Sequence, residues 1–400
     1  MRVFQAWVGA AARRSPALLL LGCSAPMVAA TADESSEATA APTGEGSSSS
    51  SSSSESSSEG GTTAGDAGAL LFVDGFVFDV GVTDLRVVDG KIAEVGELTP
   101  EPGEEVVDLA GKWVTPAFID SHVHLLYLNE PMLLAAGGVA AGVDMAAPPA
   151  IFEADLSPMR VIAAGPMVTA IDGYPTESWG SNGYGIECAD AAAAEAAVEQ
   201  LADLGAAFIK LPVMPYAPQL DDEALAAAVE RAHELGLMVA SHATSNDTAR
   251  QAALAGADIL AHTPTQLLAD ATVALWADRT VVSTVQAFGG SSAAIDNLTR
   301  LREAGARVLY GTDFGNSSVL GVDPLELAAM VAAGMTPKQA IAAGTSVAAG
   351  FWQPFNDVLG ALTPGMDASF LVTNEDPLAK LATLGSPSRV YVRGVRVDPG

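Results

Sequence analysis

The segment Pro116-Ala117-Phe118-Ile119-Asp120-Ser121-His122-Val123-His124 is an apolar run that ends in two histidines. We interpret it as a buried β-strand, because a short apolar run of this kind is typical of a strand covered on both faces. Residues i and i+2 of an extended strand face the same side, so His122 and His124 can point at one cation. A single His-x-His pair indicates metal binding only weakly, and the interpretation depends on what ends the other strands.

Four further side chains that can bind a metal also stand at the ends of short apolar runs: Lys210, His242, His262 and Asp313. The chain has only five histidines, and four of them occupy such positions. Taken singly, each histidine could be a core residue bonded to a backbone carbonyl, and Asp313 could be a helix cap or turn carboxylate. In a (β/α)8 barrel, however, the carboxyl ends of the strands meet at one face, and residues distant in sequence surround one point.

Lys210 is the unusual member of this set. Burial and neighbouring metals would lower its pKa, which makes the neutral amine accessible. A neutral amine can react with carbon dioxide to give a carbamate, an anionic group able to bridge two metals. The alternative is a lysine that binds substrate and extends its charged end toward solvent.

Strands and helices alternate through residues 117–360. The candidate strands are centred on Phe118-Ile119-Asp120, Val143-Asp144-Met145, Val161-Ile162-Ala163, Phe208-Ile209-Lys210, Met238-Val239-Ala240, Asp258-Ile259-Leu260, Val281-Val282-Ser283 and Val308-Leu309-Tyr310. Helix patterns at 187–204 and 221–235 lie between them. This alternation is the signature of a parallel sheet, and the number of repeats predicts an α/β fold closed as a (β/α)8 TIM barrel.

Residues 69–116 and 361–400 have the pattern of short β-strands. The candidates are 70–73, 76–78, 84–88 and 92–95 in the first segment, and 369–372 and 389–392 in the second. Asp74-Gly75 and Asp89-Gly90 predict hairpin turns, because Asp-Gly between β-rich runs favours a two-residue turn. We predict that both segments pair into one small β-sandwich domain.

Residues 1–22 have the pattern of an export signal, and Leu20-Leu21-Gly22-Cys23 resembles the lipobox of bacterial lipoproteins. The resemblance implies lipidation of Cys23; the alternative is an ordinary cleaved signal with an incidental cysteine. Residues 23–68 form a Ser/Glu-rich tether that we expect to be disordered, because it can bury too little apolar surface to offset ordering entropy. We therefore expect an exported lipoprotein anchored to the outer membrane, in the periplasm or at the cell surface, with Cys23 as its sole membrane contact.

The composition restricts the partners. The chain has 400 residues and a net charge of −29, from 48 acidic and 19 basic residues. This charge disfavours nucleic acids and anionic lipid surfaces, which are polyanions. Two cysteines do not make a disulfide framework. The expected partner is a small-molecule substrate, and the oligomeric state stays open.

Residues 116–124 resemble the first-strand motif of the amidohydrolase superfamily. Further matches occur in order at Gly165-Pro166, Phe208-Ile209-Lys210, Ser241-His242-Ala243, Ala261-His262-Thr263, Gly311-Thr312-Asp313, Met335-Thr336-Pro337, Gln339-Ala340, Leu359-Gly360 and Pro364-Gly365-Met366-Asp367-Ala368. The sequence is most similar to the branch that includes imidazolonepropionase-like and prolidase-like metal-dependent hydrolases. The resemblance implies a TIM barrel with a small β-sandwich and two divalent ions, usually Zn²⁺.

The resemblance also implies roles for the strand-end residues. It assigns the more buried ion to His122, His124 and Asp313. It assigns the more exposed ion to His242 and His262, with carbamylated Lys210 bridging the two ions. A metal-bound hydroxide would attack the substrate, and Asp313 would be the catalytic residue that moves a proton from this nucleophile to the leaving group.

The leading hypothesis is a binuclear zinc hydrolase that cleaves a C–N bond in an amide, cyclic amide or dipeptide. One alternative is a mononuclear deaminase or cyclic amidohydrolase in which Lys210 is not carbamylated, and another is a lactone or phosphotriester hydrolase. A metal-binding surface lipoprotein is a non-enzymatic alternative, disfavoured because binding alone does not need the proton shuttle Asp313. Tyr174 is a candidate substrate contact; its alternative is a packed loop tyrosine.

Overall fold

The structure, a computed structural model, describes residues 69–398. The strands of this part of the chain are β1 (Leu70–Val77), β2 (Gly81–Val88), β3 (Lys91–Gly96), β4 (Glu105–Asp108), β5 (Trp113–Pro116), β6 (Phe118–Val123), β7 (Val139–Asp144), β8 (Arg160–Ala163), β9 (Met167–Ala170), β10 (Gly185–Cys188), β11 (Ile209–Pro212), β12 (Val239–His242), β13 (Ile259–Leu260), β14 (Thr280–Val282), β15 (Arg307–Leu309), β16 (Phe370–Thr373), β17 (Arg389–Val392) and β18 (Val395–Val397). The α-helices are α1 (Pro131–Ala136), α2 (Ala191–Asp203), α3 (Asp222–Glu234), α4 (Asn246–Ala255), α5 (Asp270–Leu275), α6 (Ser292–Glu303), α7 (Pro324–Ala332), α8 (Pro337–Ala343) and α9 (Ser346–Phe351).

The barrel consists of two parallel arcs that join on both sides. Strands β6, β7 and β8 pair in that order, and β11 to β15 pair in sequence order. The Ala207 N–H donates to the Ala163 carbonyl at 2.9 Å and joins β8 to the segment before β11. The Ser121 N–H donates to the Tyr310 carbonyl at 3.0 Å, so the end of the last strand meets the first. These bonds close the ring and confirm the predicted (β/α)8 barrel.

Each predicted barrel strand overlaps an observed one, but the region after β8 was predicted incorrectly. Strands β9 and β10 form a parallel pair that the sequence pattern did not indicate. The helix predicted at 187–204 begins only at Ala191, because the Asp190 side chain caps it by accepting from the Ala193 N–H at 2.9 Å. Glu187 lies in β10 instead. The helix predicted at 221–235 matches α3, whose N-cap is Asp221.

Both ends of the described chain contribute to one small β domain. Its sheet has the order β18-β17-β16-β5-β1-β2-β3, with β4 also paired to β1, and β16 is antiparallel to β5. The sheet curls round its own core, since Ala368 donates to the Gly90 carbonyl and accepts from Gly394, each at 2.9 Å. The ring centroids of Phe72, Phe370 and Tyr391 lie between 4.9 and 5.1 Å apart in that core.

The two Asp-Gly pairs differ in the structure. Asp89-Gly90 connects β2 to β3 with positive φ at both residues, 49° and 74°, which confirms the predicted hairpin. The turn predicted at Asp74-Gly75 is wrong, because both residues lie within β1, where the pairing with β2 shifts register. Asp74 has a φ of 55°, and a Cβ at Gly75 would lie 2.5 Å from Leu109 Cδ1. The pair therefore forms a bulge that bends a continuous strand.

The predictions for the signal at 1–22, the tether at 23–68 and lipidation at Cys23 lie outside the described residues. Within residues 69–398, no helix combines the length and the apolar character needed to cross a membrane.

Candidate metal centre and active site

The barrel brings the strand-end residues to its carboxyl face. His122 lies in β6, Lys210 in β11, and His242 ends β12; His262 and Asp313 follow β13 and β15 within a few residues. All five of these residues are buried, and so is His124; none of the six is more than 6% exposed. Because buried polar groups must be paired, bound to a metal or left neutral, their common burial is itself a chemical constraint.

Three of these side chains meet at short distances. The Nε2 atoms of His122 and His124 lie 3.3 Å apart. Asp313 Oδ1 lies 3.4 Å from His122 Nε2 and 3.2 Å from His124 Nε2. Ligand atoms of His122, His262 and Asp313 all lie within 4.8 Å of one another. His122 and Asp313 therefore belong to two overlapping groups, one completed by His124 and the other by His262.

Hydrogen bonds behind two of the rings set their tautomers. His122 Nδ1 lies 2.7 Å from the Ala261 carbonyl, and His124 Nδ1 lies 3.1 Å from the Ala146 carbonyl. A carbonyl oxygen only accepts, so we assign the proton of each ring to Nδ1 and a lone pair to Nε2. Burial, assisted by the Lys210 charge, holds the pKa of His122 well below its ordinary value and keeps the ring neutral. The Nε2 lone pairs of His122 and His124 thus face the carboxylate oxygen of Asp313. A cation bound between these three atoms would be coordinated by all of them.

His242 and His262 form the adjacent pair. Their ring centroids lie 4.7 Å apart, and the His262 ring lies 4.3 Å from that of His122. His262 Nδ1 contacts Thr284 Oγ1 at 3.0 Å. Burial, followed by the charge of Lys210, lowers the pKa of His242 to about 3. Burial, followed by the charge of His122, also holds the pKa of His262 well below its ordinary value, so both rings are available as neutral metal ligands.

Lys210 is a fully buried side chain whose amine has no hydrogen-bond partner, one of several such buried polar atoms among the described residues. Burial lowers the pKa of Lys210 to about 7, although Asp313 and Asp144 act in the opposite direction. A substantial fraction of the Lys210 side chains therefore carries a neutral amine at neutral pH. The neutral amine is the form that reacts with carbon dioxide. The residue fits a metal-bridging carbamate.

Sequence reasoning missed two buried carboxylates that support the centre. Asp120 accepts from the His122 N–H at 3.0 Å, from the Thr312 N–H at 3.1 Å and from Thr312 Oγ1 at 2.5 Å. It thereby joins the first barrel strand to the segment that carries Asp313. Burial raises the pKa of Asp120 to about 7. The available signal was an acid inside the apolar run of β6.

Asp144, at the end of β7, is the second of these carboxylates. It accepts from the Leu125 N–H at 2.7 Å and from the Ala146 N–H at 3.1 Å. Ala146 supplies the carbonyl that orients His124, so Asp144 positions this ring through one residue. Burial raises its pKa to about 7.

Aromatic side chains stand over the imidazoles. Tyr174, predicted as a substrate contact, has its ring 5.1 Å from that of His242, and its hydroxyl accepts from Trp179 Nε1 at 2.8 Å. Trp179 lies 5.0 Å from His124. Nothing in the local sequence indicated Trp179, because its position depends on how the loop between β9 and β10 folds back. The fifth histidine, His233, lies outside the site on α3.

Comparisons with known proteins identify the family of this chain and the folds that it resembles. The profile of the Amidohydrolase family matches residues 113–397. An uncharacterized protein of Mycobacterium tuberculosis is 26% identical over 369 residues, which are 80% of this chain and 94% of that protein. The imidazolonepropionase of Maricaulis maris is 32% identical over 123 residues, 26% of this chain and 28% of the relative. A solved Xaa-Pro dipeptidase with bound methionine superposes with a TM-score of 0.71 at 20% identity, covering 83% of this chain and 100% of the dipeptidase.

The chain therefore belongs to the amidohydrolase family, as the motif resemblance predicted. It is a metal-binding hydrolase that acts on carbon–nitrogen bonds, and its fold is the TIM barrel with a small β domain found in its structural relatives.

Proposed function

We propose that this protein is a binuclear zinc hydrolase that cleaves an amide, cyclic amide or dipeptide C–N bond. The observation that carries the proposal is the convergence of the Nε2 atoms of His122 and His124 with the Asp313 carboxylate, together with the buried amine of Lys210, which has no hydrogen-bond partner among the described residues. A lone buried ammonium among neutral imidazoles would be costly, whereas a carbamate between two cations is paired on both sides.

The ligands divide by proximity. His122, His124 and Asp313 would hold the more buried ion, since their atoms lie within 3.4 Å of one another. His242 and His262 would hold the second ion, with carbamylated Lys210 between the two. When bound, divalent ions of this kind lower the pKa of a coordinated water toward neutrality and polarise a substrate carbonyl.

We assign the proton transfers of the reaction to Asp313. Its Oδ1 faces the two Nε2 atoms and also lies 3.3 Å from Asn316 Nδ2. Its backbone is fixed, because its N–H donates to the His122 carbonyl at 2.9 Å and its carbonyl accepts from the Ser317 N–H at 2.7 Å. In the proposed reaction Asp313 would accept a proton from the attacking water and deliver this proton to the leaving nitrogen of the substrate. Tyr174 and Trp179, above the imidazoles, reduce the access of bulk water.

Metal analysis of the purified protein tests the proposal, with Lys210→Ala as the perturbation. We expect about two ions per chain in the wild type, and in the variant a large loss of both metal and amide hydrolysis. Lys338→Ala is a matched control, since Lys338 lies on α8 and pairs with the exposed Asp79. Well under one ion per wild-type chain, or full metal and activity in Lys210→Ala, would refute the binuclear proposal.

A single-ion centre is the second candidate, favoured by the cluster of His122, His262 and Asp313. It would correspond to a mononuclear deaminase or cyclic amidohydrolase with an unmodified Lys210. The same experiment separates the two, because here Lys210→Ala keeps its one ion.

We also propose that the protein is an exported lipoprotein anchored at Cys23. Labelling with a radioactive fatty acid should modify the wild type, and Cys23→Ala should remain unlabelled and leave the membrane fraction. Equal labelling of both proteins would contradict the anchor.

A further inference from the structure

Five aromatic side chains line two sides of the candidate metal centre. We define this aromatic wall as Tyr127, Tyr174, Trp179, Tyr184 and Phe288. Trp179 contacts several of the others: its ring centroid lies 5.1 Å from that of Tyr127 and 5.0 Å from that of Tyr184. The Trp179 Nε1–H donates to the Tyr174 hydroxyl, so the two groups satisfy each other and the indole can offer its ring face and edges to a ligand.

The wall touches the candidate ligands from two sides of the barrel mouth. On one side, Trp179 lies 5.0 Å from His124 and Tyr174 lies 5.1 Å from His242. On the other, Phe288 follows β14 and lies 4.9 Å from His262. A substrate whose scissile bond reaches the imidazoles therefore has its neighbouring groups packed between these aromatic surfaces.

Apart from Lys210, the loops and strand ends around this mouth carry no lysine or arginine within the described part of the chain. The segments that follow the barrel strands at the carboxyl face contain no lysine or arginine: 124–130, 145–159, 164–190, 213–221, 243–245, 261–269, 283–291 and 310–323. The basic residues of the barrel region other than Lys210 lie elsewhere. Arg160 and Arg307 begin β8 and β15 at the opposite end of the barrel, and Arg231 lies on α3.

Acidic groups, by contrast, do occur at this face. Asp172, Glu177 and Glu187 are exposed in the segment that carries Tyr174 and Trp179. A substrate carboxylate entering past them would be repelled. Over the candidate metal centre it would meet the aromatic wall and, apart from Lys210, no basic side chain to replace its hydration.

We infer that the site selects uncharged amides or cyclic amides that carry a flat aromatic group and lack a carboxylate. The aromatic wall buries such a group by offset or edge contacts with its rings. This inference rests on the proposed amide hydrolysis and narrows it, because it disfavours dipeptides and N-acyl amino acids, whose free carboxylate lies next to the scissile bond.

A matched substrate pair tests the inference in the metal-loaded protein: acetanilide and 4-acetamidobenzoate, which differ only by a carboxylate. We expect kcat/KM to be at least about 30-fold higher for acetanilide, equivalent to about 2 kcal/mol. The same preference should appear between an Xaa-Pro amide and the corresponding dipeptide. Equal rates, or a preference for the carboxylates, would overturn the inference and leave the hydrolase proposal intact.

Two variants locate the selectivity. Tyr127→Arg adds a cation at the edge of the aromatic wall and should raise kcat/KM for 4-acetamidobenzoate by about tenfold. Trp179→Ala should lower kcat/KM for acetanilide by about tenfold, mainly through KM. Tyr216→Ala is the control, because Tyr216 is 86% exposed on the neighbouring loop and outside the aromatic wall. Equal behaviour of Trp179→Ala and the control would refute the role of the wall.

A binding measurement separates failure of the inference from failure of the proposed function. Trp179 emission should change on binding of acetanilide and not of 4-acetamidobenzoate, and Trp179→Phe should abolish the change. Hydrolysis of neither compound, with this binding difference retained, would refute the reaction and support the selectivity. Binding of both compounds with similar affinity would refute the selectivity.

Discussion

Glu326, buried in α7, offers a pH-dependent prediction that does not involve the metal ligands. Its two carboxylate oxygens accept from the Val285 N–H at 2.9 Å and the Gln286 N–H at 2.7 Å, which holds the loop after β14. Burial raises the pKa of this carboxyl from 4.5 to about 7, in spite of these hydrogen bonds. The loop carries Thr284, the partner of His262.

The sign of the effect follows from proton release. Between pH 4.5 and about 7 the unfolded chain has lost the Glu326 proton that the folded protein still holds. The contribution of Glu326 to folding stability is therefore full below pH 4.5 and is lost as the pH rises through 7. Integrating over the interval from about pH 5 to about pH 8 gives a loss of about 2 to 3 kcal/mol.

Glu326→Gln removes this titrating group, so the free energy of unfolding of the variant should fall less steeply than that of the wild type as the pH rises. Glutamine offers one oxygen to two N–H donors, which costs about 1 to 2 kcal/mol at every pH. We expect the variant to be less stable than the wild type near pH 5 and equal to it or more stable near pH 8.

Urea unfolding at several pH values, compared pairwise with the wild type, measures the difference and cancels effects common to both proteins. Glu195→Gln, an exposed change on α2, is the control and should show a constant difference. A pH-independent free-energy difference for Glu326→Gln would refute the argument from burial.

Three further substitutions test contacts around the site. Thr284→Val removes the partner of His262 Nδ1 and should weaken binding of one ion by about tenfold in a chelator competition; unchanged affinity would contradict the role of this contact. Asp120→Ala leaves its three donors without an acceptor and should lower the free energy of unfolding by about 3 to 5 kcal/mol, whereas a change below about 1 kcal/mol would show that the bond network is dispensable. Tyr174→Phe removes the acceptor for Trp179 Nε1 and should cost about 1 kcal/mol in urea unfolding while shifting tryptophan emission; an unaltered spectrum would contradict the contact.

The strand ends were the predictable part of this molecule. A parallel strand is a local apolar pattern, and its direction follows from alternation with helices, so the face that receives His122 or Asp313 follows from the sequence. The position of Lys210 in a buried strand likewise predicts desolvation. The side chain is fully buried in the structure, and this burial lowers the pKa of Lys210 to about 7.

The unpredicted features depend on contacts between distant segments. Trp179 reaches His124 only because the loop between β9 and β10 folds over the mouth, and no pattern within that loop specifies the contact. Glu326 acts on residues of another loop, 285 and 286. The bulge at Asp74-Gly75 looks like a hairpin turn until the partner strand and Leu109 are known.

The hydrogen bond from Ser121 to Tyr310, which closes the barrel, has a consequence for biosynthesis. During translation the first two histidines emerge long before the segment that supplies Asp313 and seals the ring. A nascent chain interrupted between them has imidazoles but neither the carboxylate nor the neighbouring strand that aligns them. The complete set of strand-end side chains can therefore assemble only after the segment up to Asp313 has been synthesised.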